Sequence, residues 1–149
     1  MQIGDKAPDF ELKDETGTTR RLGDFLADGP VVLYFYPAAM TYGCTKESCH
    51  FRDLASEFKE VGAQRVGISA DQVEKQQQFS EKHNFDFPLL SDPDRSVAAA
   101  YGVRRGLSLI PVKRATFVIG TDGVIKEIVR SEVNMNVHAD KALAALRTP

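Results

Sequence analysis

The chain predicts an α/β fold in which a mixed central sheet carries helices on both faces and is entered through an N-terminal β-hairpin. Three observations predict it. Val31-Val32-Leu33-Tyr34-Phe35 is a continuous apolar run, the pattern of a strand covered on both sides. Between about Tyr42 and Val61 the apolar residues Phe51, Leu54, Phe58 and Val61 recur at helical spacing, and Arg65-Val66-Gly67-Ile68-Ser69 then reads as a second strand. Strand, helix and strand make one parallel, right-handed unit. Ala115 to Ile119 and Val124 to Val129 flank Thr121-Asp122-Gly123, which has the chemistry of a hairpin turn and adds antiparallel strands.

The remaining elements follow in order. Phe10-Glu11-Leu12 and Thr19-Arg20-Arg21-Leu22 flank Asp14-Glu15-Thr16-Gly17, giving the N-terminal hairpin. Asp24 is placed to cap a short helical turn through Ala27, and Gly29-Pro30 ends it. Gly62 stops the long helix, with Asp53, Ser56 and Glu60 on its polar face. Asp71 reads as the N-cap of a Gln-rich helix ending near His83-Asn84. Phe87 to Leu90 is a short extended segment, Asp92-Pro93 opens a turn or helix through Ala100, and Gly106 to Pro111 is a loop with a trans Ile110-Pro111 bond expected. A last helix spans about His138 to Arg147. The order of elements is like that of thioredoxin.

Bulk properties narrow the function. With 149 residues, 42% hydrophobic and 27% charged, the chain fits one domain over residues 1–149 with a sizeable core. No run of about 18 apolar residues and no leader pattern at Met1-Gln2-Ile3-Gly4-Asp5 is present, so no membrane span and a cytoplasmic address are expected. Net charge is −2, and basic residues cluster no further than pairs such as Arg104-Arg105 and Lys113-Arg114, which argues against a nucleic-acid partner. Two cysteines in such a chain read as redox-active or inert rather than as a structural staple.

The first of them falls on the strand-to-helix turn. Unpaired N–H groups and the positive end of the helix dipole favour thiolate over thiol there. With Thr41 as N-cap, Cys44 is the third helical residue, and hydroxyl and sulfur share the mouth of the helix. Pro37 ends the strand, fixes how the loop leaves it and walls the site against water. Counting 100° per residue from Phe51 puts Cys44 on the core side and Cys49 on the opposite, polar side. Five residues apart in a helix, their Cα atoms are separated by about 8.7 Å, beyond the roughly 7 Å that a disulfide tolerates. If the two thiols bond, the first helical turns must unwind.

Pro37-x-x-x-Thr41-x-x-Cys44-x-x-Glu47 resembles the active-site signature of the peroxiredoxins, and Cys44-x4-Cys49 followed by Phe51-Arg52-Asp53 resembles the bacterioferritin comigratory protein or PrxQ subfamily, of the atypical two-cysteine type. The likeness runs from Gly4-Asp5-Lys6-Ala7-Pro8-Asp9-Phe10 to Arg114-Ala115-Thr116-Phe117-Val118-Ile119. It implies a thioredoxin-like fold, Cys44 as peroxidatic and Cys49 as resolving cysteine, and reduction of hydrogen peroxide or organic hydroperoxides. It further implies a thioredoxin or similar dithiol reductant and no metal, haem or flavin cofactor; separately, a monomer or weak dimer is expected. The resemblance also places Arg114 beside the thiol, with Glu47 orienting it and Thr41 positioning the peroxide.

Plainer readings stand beside these. Thr41 serves equally as a helix cap and Pro37 as a strand terminator, and from spacing alone Arg104, Arg105 and Lys113 rival Arg114. His50, His83 and His138 are scattered and lack zinc-site spacing. Tyr42 occupies a slot that is commonly proline in the resembling subfamily; it either eases unwinding of the helix start or narrows the pocket with its ring. A non-catalytic redox sensor and a thioredoxin-like disulfide reductase are the competing functions, the second weakened by the absence of Cys-x-x-Cys.

Overall fold

The computed structural model describes residues 1–106 and 111–148, so part of the Gly106 to Pro111 loop, with the Ile110-Pro111 bond, lies outside the described residues. The described strands form one seven-stranded sheet in the order β2-β1-β5-β4-β3-β6-β7. These are β1 (Glu11–Lys13), β2 (Thr19–Arg21), β3 (Val31–Phe35), β4 (Gln64–Ser69), β5 (Leu89–Ser91), β6 (Ala115–Ile119) and β7 (Ile125–Arg130). β3 pairs parallel with β4 and antiparallel with β6, and β6 pairs antiparallel with β7. The β1/β2 hairpin is added at the far edge, its turn closed by Asp14 Oδ1 accepting from the N–H of Thr16 and of Thr18 at 2.9 and 3.1 Å.

Side chains alternate across a strand, so the apolar run of β3 feeds two cores. Val31, Leu33 and Phe35 join Leu22 and Phe25 of helix α1 (Leu22–Leu26) and Val97 and Ala98 of α5 (Ser96–Ala100) on one face. Val32 and Tyr34 join the other face, with Cys44 and Phe51 of α2 (Tyr42–Asp53), Phe58 of α3 (Ala55–Glu60), Phe79 of α4 (Val73–His83) and Ala139 and Ala142 of α6 (Asn136–Arg147). Both faces are covered, as a continuous apolar strand requires.

Three expectations are corrected. The helix over Tyr42 to Val61 is two helices, because Leu54 leaves the helical region at φ −95° and ψ 21°. Arg65 of β4 donates to the Phe51 carbonyl at 2.9 Å, an acceptor that an unbroken helix would give to the N–H of Ala55. Gln72, not Asp71, is the N-cap of α4, and Asp24 lies inside α1, whose N-cap is Arg21. Asp71 is engaged elsewhere, as described below. No described helix is long and apolar enough to cross a membrane.

Candidate active site

The site is assembled where β3 gives way to α2. Phe35 is paired with Ala115, so the register of β3 against β6 carries the preceding residue, Arg114, to the strand's exit. Between strand and helix the chain turns through Pro37 to Thr41. Met40 takes a left-handed φ of 69°, a conformation costly for a residue with a Cβ unless its neighbours hold it. They do. The N–H of Ala39 donates to Asp71 Oδ2 at 2.7 Å, the Ser69 hydroxyl donates to the same oxygen at 2.7 Å, and Thr41 Oγ1 donates to the Ala38 carbonyl at 2.7 Å.

Thr41 is the backbone N-cap of α2, which makes Cys44 the third helical residue, and its carbonyl accepts from the N–H of Thr45 at 2.9 Å. Its hydroxyl makes no cap bond: it is committed to the loop, and the residue is exposed. Pro37 is half-buried at the end of β3. One face of α2 is buried, comprising Cys44, Glu47, Ser48 and Phe51, while Cys49 is half-buried on another side. Ser48 is fixed from below by the Tyr34 hydroxyl at 2.9 Å. Cys44 and Cys49 are both free thiols on one continuous helix.

Arg114 joins the parts. Nη2 donates to Cys44 Sγ at 3.3 Å and Nη1 to Glu47 Oε1 at 2.5 Å, with all three residues buried. Its backbone N–H donates to both carboxylate oxygens of Glu132, at 3.1 and 3.2 Å. Burial works against the guanidinium charge, but Glu47 and then Cys44 outweigh it and hold the group above its ordinary value. Burial pushes the Glu47 carboxyl up to about 8, opposed by the attraction of Arg114. At Cys49 burial raises the thiol, with Arg52 pulling it back in part. Gly43 permits this closeness, since a Cβ there would stand 3.3 Å from Arg114 Nη2 and 3.4 Å from Met135 Sδ.

The structure thus brings Cys44, Glu47 and Arg114 into contact, sets Pro37 and Thr41 in the loop that leads into α2, and leaves Cys49 on another side of the helix. Tyr42 is 86% exposed, which removes the reading in which its ring narrows the pocket. Three further residues belong to the site and carry no signature in sequence. Asp71 has the look of a helix cap, Met135 is a lone thioether at the N-cap of α6, and His138 was only one of three dispersed histidines. His138 is fully buried, accepts from or donates to Thr116 Oγ1 at 2.8 Å through Nδ1, and lies 3.6 Å from Glu47 Oε2. Among the described residues no group of three or more His, Cys, Asp or Glu could hold a metal ion.

A buried sulfur at a helix start with a guanidinium against it, on a sheet of thioredoxin-like order, defines a thiol-based redox protein. The AhpC/TSA family matches residues 3–128. Peroxiredoxin Bcp of Bacillus subtilis is 41% identical, over 99% of this chain and 96% of that protein. The crystal structure of peroxidoxin BcpB from Mycobacterium tuberculosis superposes with a TM-score of 0.95 at 63% identity, covering 99% of this chain and 97% of the other. That of the Xanthomonas campestris bacterioferritin comigratory protein, whose trapped-intermediate and ligand complexes concern alkyl peroxide reduction, gives 0.84 at 35% identity over 93% and 90%. The chain belongs to the AhpC/TSA family and, within it, to the peroxiredoxins of the Bcp and PrxQ kind, which are peroxidases.

Proposed function

We propose that Cys44 is the peroxidatic thiol, Cys49 the resolving thiol, and that the chain reduces hydrogen peroxide and organic hydroperoxides at the expense of thioredoxin or a similar dithiol protein. The observation that carries the reading is the pair of donor contacts from Arg114, one to Cys44 Sγ and one to Glu47. In the first step the Cys44 thiolate attacks the terminal oxygen of R–O–O–H. A sulfur–oxygen bond forms, the oxygen–oxygen bond breaks, and Cys44 becomes sulfenic acid while the alkoxide, or hydroxide, departs and takes up a proton.

Negative charge moves from sulfur to the departing oxygen in that step, so a fixed donor beside both atoms lowers its barrier. Arg114 fills that role, and Glu47 positions it. The N–H groups of the first turn of α2 and the Thr41 side of the loop are the groups next to incoming peroxide. In the second step Cys49 thiol condenses with the sulfenic acid, releasing water and forming the disulfide. Their shared helix argues that α2 opens before this happens. A dithiol then reduces the disulfide and takes its oxidising equivalents.

The test is peroxide consumption coupled to thioredoxin and its reductase. Cys44→Ser is expected to abolish it, and Cys49→Ser to give a single round of sulfenic acid formation without recycling. Undiminished turnover by Cys44→Ser would overturn the assignment. One stoichiometric oxidation by the unaltered protein, with no turnover, would favour a redox sensor.

A further inference from the structure

Behind Arg114 and Glu47 lies a buried histidine, His138, that the proposed reaction does not use. Glu47 Oε1 is taken by Arg114, but Glu47 Oε2 has no hydrogen-bond partner among the described residues. His138 Nδ1 lies 3.6 Å from it, just beyond hydrogen-bond contact, and both residues are fully buried. His138 Nε2 lies 2.8 Å from the Ser131 carbonyl, which can only accept, so Nε2 carries a hydrogen. In the neutral ring Nδ1 is therefore an acceptor, and it takes the hydrogen of the Thr116 hydroxyl at 2.8 Å. Unprotonated, Glu47 Oε2 and His138 Nδ1 stand 3.6 Å apart with no hydrogen between them.

The charges point the same way. A Cys44 thiolate and a Glu47 carboxylate are two buried anions against the single cation of Arg114, and an uncompensated buried charge is costly. We propose that Glu47 and His138 share one proton behind Arg114, and that this pair decides how fully the guanidinium is committed to Cys44. With the proton in place a hydrogen lies between the two residues, the cluster is neutral, and the guanidinium charge is set against the sulfur alone while Glu47 Oε1 still accepts from Nη1. Without it, Arg114 is divided between two anions. His138 is thus a positioning residue, acting through Glu47 and Arg114, and it never touches the peroxide.

Burial drives each partner toward neutrality, raising Glu47 to about 8 and lowering His138, so neither group readily holds a charge of its own here. The other charged groups bearing on the imidazole are Arg114, preceding β6, which lowers it, and Glu132, following β7, which raises it. Cys44 of α2 is joined to Arg114 by the Nη2 contact. Asp140, on the same helix as His138, is turned away to His50 Nε2 at 2.7 Å.

The inference rests on the reading of Cys44 as the attacking thiol, and two measurements separate the two. The first is a titration of the imidazole nitrogens by NMR in the unaltered protein and in Glu47→Gln. The His138 Nδ1 resonance is expected to shift with pH in the former and to lose that shift in the latter; a resonance constant from about pH 5 to about 10 in both would overturn the shared proton. The second is the pH profile of Cys44 reacting with hydrogen peroxide and, separately, with iodoacetamide, in the unaltered protein and in His138→Gln. Both profiles are expected to lose one ionisation in the variant, on the alkaline side. Superimposable profiles would overturn the positioning role. Alkylation without any peroxide reaction in the unaltered protein would sink the peroxidase reading alone, and the alkylation profile would still decide the role of His138. If His138→Gln fails to fold, the NMR titration decides, because it needs only the unaltered protein and Glu47→Gln.

Discussion

Arg114 spans Cys44 and Glu47 with two nitrogens of one guanidinium, at 3.3 Å from the sulfur and 2.5 Å from the carboxylate. The planar fork is what permits both contacts at once, and a lysine ammonium has no second arm in fixed geometry. Arg114→Lys is therefore expected to behave more like a loss than a conservative change. The rate of Cys44 oxidation by peroxide should fall by about 10²–10³-fold, the range for removing one donor aimed at developing charge. Stopped-flow kinetics at fixed pH measure it. A variant within about twofold of the unaltered rate would show that charge alone suffices.

How much of this was legible in sequence varies with the range of the interaction. The buried face of α2 was legible, since Cys44 and Phe51 are nearly two full turns apart and local periodicity places them together. Arg114 was singled out only by resemblance, because its partners lie 67 and 70 residues away and the register of β3 against β6 decides which basic residue arrives. The break at Leu54 was not legible for the same reason. Its apolar spacing continues through the break, and Arg65, which engages the Phe51 carbonyl, comes from the next strand.

Asp71 was misplaced by a local rule that lost to a long-range bond. An acid ahead of a helical pattern has the signature of an N-cap, yet this one is spent on the N–H of Ala39, 32 residues earlier. Ala39 is buried, so Asp71→Ala strands that N–H away from water at a cost of about 1–3 kcal/mol. The left-handed turn at Met40 loses its brace with it. The expected result is faster amide exchange at residues 39 to 44 and slower peroxide reduction, although the Asp71 carboxylate bonds Ala39 and Ser69 rather than Cys44. Unchanged exchange in that segment would show that the loop holds its shape without the carboxylate.

Glu47 makes stability depend on pH in a sense opposite to that of most carboxylates. Its native value is raised from 4.5 to about 8, so between those limits the folded protein holds a proton that the unfolded chain has released. Stability from this residue is full below about 4.5, falls as pH rises toward about 8, and is level above. Glu47→Gln removes the dependence. Urea unfolding across this range should therefore show the unaltered protein losing stability relative to Glu47→Gln by an amount on the order of a few kcal/mol. Parallel curves throughout would mean that Glu47 is ionised over the whole range.

Tyr42 offers the most direct test of coupling between helix stability and resolution of the sulfenic acid. It is the first residue of α2, and its ring is 86% exposed, so replacing it removes little packing. Proline is favoured at a first helical position, where the N–H has no partner within the helix and φ is preset. Tyr42→Pro is expected to stabilise the helix start by about 0.4–1 kcal/mol, chiefly by restricting the unfolded chain. Because Cys44 and Cys49 sit five positions apart on this helix, the same stabilisation opposes the opening that lets them meet. The variant should show slower amide exchange at residues 42 to 49 and slower disulfide formation, with sulfenic acid formation at the unaltered rate. Excess peroxide should then over-oxidise more Cys44 to sulfinic acid, read by mass spectrometry. Slower exchange with unchanged disulfide formation would show that the two thiols meet without unwinding the first turns.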